Sequence, residues 1–172
     1  GAQFTQIQAA IDAAQDDDVL LVLAGAYQGI VVDKPLRILG DGSDSVLIST
    51  NAGTEVIVQN IGAGEEAVLS GVRVQRTTFR FGVTKVLLQN CLGTVVLQHV
   101  TVPPPFWIGS ATGMQVMNCA RAVLVESSIF GHNDFVSLTP PVFTSGVFAR
   151  DSTLWIANSE VTCVGNSGAQ VP

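Results

Sequence analysis

The residues best placed for chemistry are His132 and Asp134, which share the short stretch Gly131-His132-Asn133-Asp134-Phe135. An imidazole beside a carboxylate can carry a proton, but acid–base cleavage needs a partner acid or a nucleophile converging on the same point. The fourteen acids do not supply one. Asp12, Asp16, Asp17, Asp18, Asp33, Asp41, Asp44, Glu55, Glu65 and Glu66 all precede residue 67, and no Asp or Glu occurs between Ala67 and Val125. The middle of the chain is therefore expected to lack a catalytic acid cluster and a calcium site, which needs several oxygen ligands. His132 and Asp134 read as a solvated turn, since Gly, Asn and Asp are ordinary turn formers. His99 is expected within a strand, opposite no acid. Cys91, Cys119 and Cys163 lack the CxxC spacing of a zinc site, so no metal and no cofactor is expected. No catalytic residue is assigned, and the balance lies against an enzyme.

The elements that would position these residues are set by a repeat. Val56–Val74, Val86–Val102, Met114–Phe130 and Val147–Cys163 fall into one frame, and Asn60, Asn90, Asn118 and Asp151 recur at spacings of 30, 28 and 33. Unequal spacing suits coils that share a fixed part and differ in their loops. Within the units, apolar residues recur with the strand period of two: Val95 and Leu97, then Val100 and Val102; Val123 and Val125, then Ser127 and Ile129. No window after residue 15 shows an amphipathic helix. The reading is an all-β parallel solenoid of about five coils forming a single domain over residues 1–172.

In such a stack the same position of each coil lies about 4.8 Å above its predecessor, so like residues sit on like. The Asn column is expected at one bend, with amides bonding along the stack and satisfying buried backbone. The column after it, Ile61, Cys91, Cys119 and Ser152, is expected to point inward, with the thiols acting as small apolar groups.

The segment Phe4–Gly42 resembles the opening of the right-handed parallel β-helix proteins of the pectin-lyase-like superfamily. Thr5-Gln6-Ile7-Gln8 forms a capping-box pattern, and Phe4, Ile7, Ile11 and Ala14 form the face of a short capping helix. Asp18 matches the turn Asp, Gly25 and Tyr27 the Gly-x-Tyr step, and Lys34-Pro35-Leu36 with Gly40 and Gly42 the later strand. Ala24 stands where that pattern has Pro, and Asp16-Asp17 where it has Pro-Gly. The resemblance implies a right-handed β-helix with an N-terminal capping α-helix. It implies little about activity, because such folds host lyases, hydrolases, epimerases and non-enzymatic scaffolds.

Three connections, Gln75–Lys85, Pro103–Gly113 and Gly131–Gly146, leave the frame at one place and are expected on one side of the solenoid. They carry Arg76, Phe79, Arg80, Phe106, Trp107, Phe135 and Phe143, the ligand or interface candidates. Three readings stay open: a lid on the outer face, a self-association surface, and an aromatic platform for polysaccharide.

Composition narrows the partners. Charged residues make up 13% of the chain, against about 25% in an average globular chain, and mean hydropathy is +0.42. An inward core alone does not absorb that much apolar surface, so some outward positions must be apolar and covered. No apolar stretch approaches the ~20 residues of a membrane span. A net charge of −6 with no basic stretch excludes nucleic acid as the expected partner. The sequence begins at Gly1 without a Met, so any signal peptide is expected to have been removed or to lie outside the given sequence, and the location is read as extracellular or cell surface. The polar tail Val164–Pro172 carries no capping helix, which predicts an open C-terminal end or a longer native protein. The functional expectation is a non-catalytic exported scaffold or binding module, self-associating or carbohydrate-binding. The alternative is a polysaccharide lyase- or hydrolase-like enzyme, or a fragment of one.

Overall fold

A computed structural model describes residues 3–49, 53–75, 83–104, 111–133 and 146–165. Each turn of the chain lays down three short strands, and each strand stacks in parallel on its counterpart in the next turn. The first face holds β1 (Val19–Val22), β4 (Arg37–Gly40), β7 (Glu66–Ser70), β10 (Thr94–Gln98), β13 (Arg121–Val125) and β16 (Leu154–Ala157). The second holds β2 (Gly25–Gln28), β5 (Val46–Ser49), β8 (Arg73–Val74), β11 (Thr101–Val102), β14 (Ser128–Asn133) and β17 (Glu160–Gly165). The third holds β3 (Ile30–Val32), β6 (Val56–Gln59), β9 (Val83–Gln89), β12 (Ala111–Met117) and β15 (Val147–Arg150). One antiparallel contact, Ala111 opposite His132, joins the second face to the third. The third face makes four parallel steps, and the solenoid winds about four turns where the sequence predicted about five.

The core is a set of like-on-like stacks. Leu20, Ile38, Leu69, Leu97, Leu124 and Ile156 occupy one register position on the first face, all inward. Removing a buried Leu from such a stack costs about 2–5 kcal/mol, because the layers above and below cannot collapse into the void. Val95, Leu97, Val100 and Val102 are buried as their alternation predicted. In the next turn the parity differs: Ala122 pairs with Val95 and Leu124 with Leu97, so Val123 and Val125 face outward. The run Ala122–Val125 is apolar on both faces, and periodicity alone cannot choose between them.

Two corners recur in one form over the later turns. Asn60, Asn90, Asn118 and Asp151 turn the chain from third face to first with φ of 60°, 55°, 54° and 51°. Gly71, His99, Glu126 and Asn158 turn it from first to second with φ of 67°, 51°, 49° and 49°. Asn60 N–H donates to Gln89 O (3.2 Å), Asn90 N–H to Met117 O (3.0 Å) and Asn118 N–H to Arg150 O (3.1 Å). The column thus shares one bend, and Asn118 Nδ2 donates to Asn90 Oδ1 at 3.2 Å along it. Its side chains are exposed, however, and do not satisfy buried backbone. What the position demands is left-handed backbone, which Asn and Asp tolerate better than other non-glycine residues. Ile61, Cys91 and Cys119 follow it inward and are buried; Ser152, in the last turn, is half-buried.

The helix α1 (Ile7–Ala13) covers the N-terminal end with Ile7 and Ile11 buried. The capping-box expectation fails: Gln6 is the N-cap and makes no side-chain cap bond. The glutamines reach the first turn instead. Gln6 Oε1 accepts from Gln28 N–H (3.1 Å), and Gln8 Oε1 accepts from Val31 N–H (2.7 Å). Phe4 precedes the helix and is 42% exposed rather than part of its buried face. Lys34 Nζ donates to the carbonyls of Ile11, Asp12 and Ala14 at 3.0, 3.2 and 2.8 Å, closing the helix C-terminus where cations are favoured.

Candidate functional site

Gln75 to β9, β11 to β12, and β14 to β15 all cross from the second face to the third. The three connections therefore leave one corner of successive turns, as the repeat predicted. They are shorter than expected, because Val83–Lys85, Ala111–Gly113 and Gly131–Asn133 belong to β9, β12 and β14. Arg76, Phe79, Arg80, Phe106, Trp107, Phe135 and Phe143 lie outside the described residues. At the mouth of this corner stand two buried charged residues that the sequence did not single out. Glu55 is fully buried just before β6; its N–H donates to the carbonyl of Lys85, whose Nζ donates to Pro103 O at 2.6 Å.

The second corner contains a histidine–carboxylate pair. His99 is not within a strand, and it does have an acid: its Nε2 lies 2.6 Å from Glu126 Oε2. Sequence reasoning missed the contact because Glu126 is one turn away in space and 27 positions away in the chain. Both side chains are about half exposed. His132 occupies β14 and pairs through its backbone with Ala111 and Val164, in a strand rather than a turn; Asp134 lies outside the described residues. Among the described residues no three His, Cys, Asp or Glu side chains gather as a metal site would need.

The outer surface of the first face is where the apolar excess goes. One outward column runs Val19, Arg37, Val68, Val96, Val123 and Trp155. The next runs Leu21, Leu39, Ser70, Gln98, Val125 and Ala157. Val68 is buried at 6% by its neighbours, whereas Trp155 is 61% and Leu21 75% exposed. The equivalent column of the second face runs Ala26, Leu47, Arg73, Thr101, Ser128 and Glu160 and is polar from Arg73 onward. A solvated sheet face normally alternates apolar-in with polar-out, and an exposed apolar stripe of this kind marks a contact surface.

The inward thiols of Cys91 and Cys119 form a buried pair, and neither they nor Cys163 is in a disulfide. Cys91 Sγ donates to Gln89 O at 3.3 Å and Cys119 Sγ to Met117 O at 3.4 Å. The hydrogen bond between the two thiols, and then burial, hold Cys91 far above the usual thiol range. The same bond draws Cys119 down while burial opposes it.

No protein family, curated protein or solved structure matches the chain. What stands is the architecture: a parallel β-solenoid closed at its N-terminal end by one short helix.

Proposed function

We propose that the protein is a non-catalytic, exported β-helix scaffold of the pectin-lyase-like kind, acting through contact surfaces by self-association. The observation that carries this reading is the outward stripe of the first face, ending in the exposed Val19 and Leu21 at one end and Trp155 at the other. Burying one large apolar side chain is worth about 1.5–3 kcal/mol, so a few such residues suffice for association. Sedimentation velocity over a concentration range is expected to show masses above the 18.0 kDa monomer. Trp155→Ser should reduce them at an unchanged melting temperature. A protein that stays monomeric at every concentration would defeat the reading; retention on a polysaccharide column that is lost with Trp155→Ser would turn it towards carbohydrate binding.

The His99–Glu126 pair supports a second reading, a polysaccharide-active enzyme using that pair for proton transfer. Depolymerisation of a uronate polymer that disappears in His99→Ala would favour it over the scaffold.

A further inference from the structure

Cys91 and Cys119 stack one turn apart just inside the bend that carries the asparagines. Asn90 N–H donates to Met117 O at 3.0 Å and Ala120 N–H to Cys91 O at 2.7 Å, so backbone bonds hold the pair from both sides. The sheet pitch sets the Cα atoms about 4.8 Å apart, inside the ~4.4–6.8 Å that a disulfide spans. The side chains are aimed as well as spaced. Ser152, next in the column, donates to Arg150 O at 2.8 Å while its Oγ accepts from Cys119 N–H at 3.0 Å, so it leans onto the turn before. Ser127 and Ser159 do the same at the following corner, accepting from Val100 N–H at 3.0 Å and Ser127 N–H at 3.1 Å. Cys119 Sγ, on Met117 O at 3.4 Å, has the placement of Ser152 and leans onto Cys91, whose thiol it meets in a hydrogen bond.

Both thiols are buried, but each sits between two exposed residues, Asn90 and Leu92 around Cys91, Asn118 and Ala120 around Cys119. A reagent of two heavy atoms needs only a local opening of this corner to arrive, whereas a bulkier one needs more. The two sulfurs are not alike. Cys119 is drawn down to about 7 by its bond to Cys91, against burial, with the backbone of Cys91 and Met117 assisting. Cys91 is held far above the ordinary range by the same bond and by burial. The thiolate is the reactive form of cysteine, so Cys119 is the nucleophile of the pair and Cys91 the sulfur that reacts second.

We propose that Cys119 and Cys91 form a peroxide-reactive dithiol whose product is a disulfide stapling one turn of the solenoid to the next. The Cys119 thiolate attacks one oxygen of hydrogen peroxide, the O–O bond breaks, hydroxide leaves, and Cys119 becomes a sulfenic acid. Cys91 gives its proton to that hydroxide. Its sulfur then attacks the Cys119 sulfur, forming the S–S bond and expelling a second hydroxide, which takes up the proton that Cys119 had released. Each sulfur loses one electron and the peroxide gains two, so two thiols and one hydrogen peroxide become one disulfide and two waters. No charge remains in the core, and the bond joins residues 28 positions apart. The reaction is confined to this pair of turns, because the column continues as Ile61 on one side and Ser152 on the other. Cys163 lies on another face, in β17 opposite Gly131.

The test uses Cys163→Ser protein, which keeps only the buried pair, and hydrogen peroxide as the oxidant. The protein is reduced, freed of reductant and treated while folded. Its mass should fall by the two hydrogens of the thiols, and iodoacetamide added after denaturation should label neither cysteine. The melting temperature should rise by about 5–10 °C and return on reduction. A dione probe for sulfenic acid should mark Cys119 in the Cys91→Ser variant. If that variant does not fold, the probe is added together with peroxide to the Cys163→Ser protein, where Cys119 should again be the residue marked. Two thiols still open to iodoacetamide after peroxide overturn the proposal, as does Cys119 driven on to sulfinic acid beside an untouched Cys91. Sulfenic acid trapped on Cys91 overturns the assigned order of attack, and a disulfide that leaves the melting temperature unchanged overturns the staple.

Discussion

Nε2 of His99 lies 2.6 Å from Oε2 of Glu126, and both residues hold left-handed backbone at the same corner of successive turns. The corner, rather than the ion pair, sets the energetic demand there. An L-residue in this conformation costs about 1–2 kcal/mol, whereas an exposed ion pair returns about 1 kcal/mol or less. His99→Gly, which restores the residue type that Gly71 supplies one turn earlier, should leave stability within about 1 kcal/mol of wild type. His99→Val should lower it by about 1–2 kcal/mol, since a β-branched residue tolerates the conformation worst. Urea unfolding midpoints check this, and equal midpoints for the two variants would show that the corner imposes no backbone demand.

Gly71 faces a second constraint. A Cβ at that position would stand 2.5 Å from the carbonyl oxygen of Gly40, in addition to the φ of 67°. Neither group can yield without moving a strand, so Gly71→Ala should destabilise by more than about 2 kcal/mol. Gly64 has a φ of 82° with nothing within 4 Å of its added Cβ, so Gly64→Ala should lose only the backbone term, about 1 kcal/mol. Matching losses at the two sites would mean that the close approach of Gly40 and Gly71 does not matter.

Lys34 ties the cap to the first turn. Lys34→Met keeps the aliphatic stem but removes three donor contacts to the end of α1, and should cost about 1–3 kcal/mol. Hydrogen exchange should show faster exchange at the C-terminal end of α1 before any change in the first-face strands. Uniform loss of protection would mean that helix and sheet open together.

The thiols give a chemical readout. Cys163 is exposed, while Cys91 and Cys119 are buried. Iodoacetamide at about pH 8, just under the ordinary thiol range, should label Cys163 in the folded protein and the other two only after denaturation. The Cys91 thiol is held above its ordinary value near 9, chiefly by its bond to Cys119, so the unfolded chain releases that proton first as pH rises. The stability that Cys91 confers is complete below about pH 9 and is lost as pH rises above it, whereas the thiol of Cys119, drawn down to about 7, contributes in the opposite sense as pH rises from about 7 to 9. Cys91→Ala should flatten the alkaline decline; an unchanged slope would place the effect elsewhere.

The stack was legible in the sequence because a parallel solenoid forces residues one turn apart into contact, so Asn60, Asn90 and Asn118 had to recur together. The inward thiols followed from the same frame. What stayed hidden depends on short-range geometry that periodicity does not encode. Ala122–Val125 is apolar at every position, so its parity came only from the pairing with β10. Gln6 and Gln8 looked like helix-cap residues but bond to strand edges instead. The His99–Glu126 contact needed the second corner column, whose members Gly71, His99, Glu126 and Asn158 share a conformation and no chemistry.

The corner between the second and third faces widens along the chain, from Gly29 alone between β2 and β3 to the stretch joining β14 and β15. The column Ile30, Val56, Val86, Met114 and Val147 on the third face nevertheless keeps its register beside it. Length is thus decoupled from register at this corner, and natural variation can rewrite it without touching a core residue. Peptides spliced into neighbouring turns would be displayed at the pitch of the sheet, about 4.8 Å apart at their roots, a spacing that side-by-side grafts on a globular host do not provide.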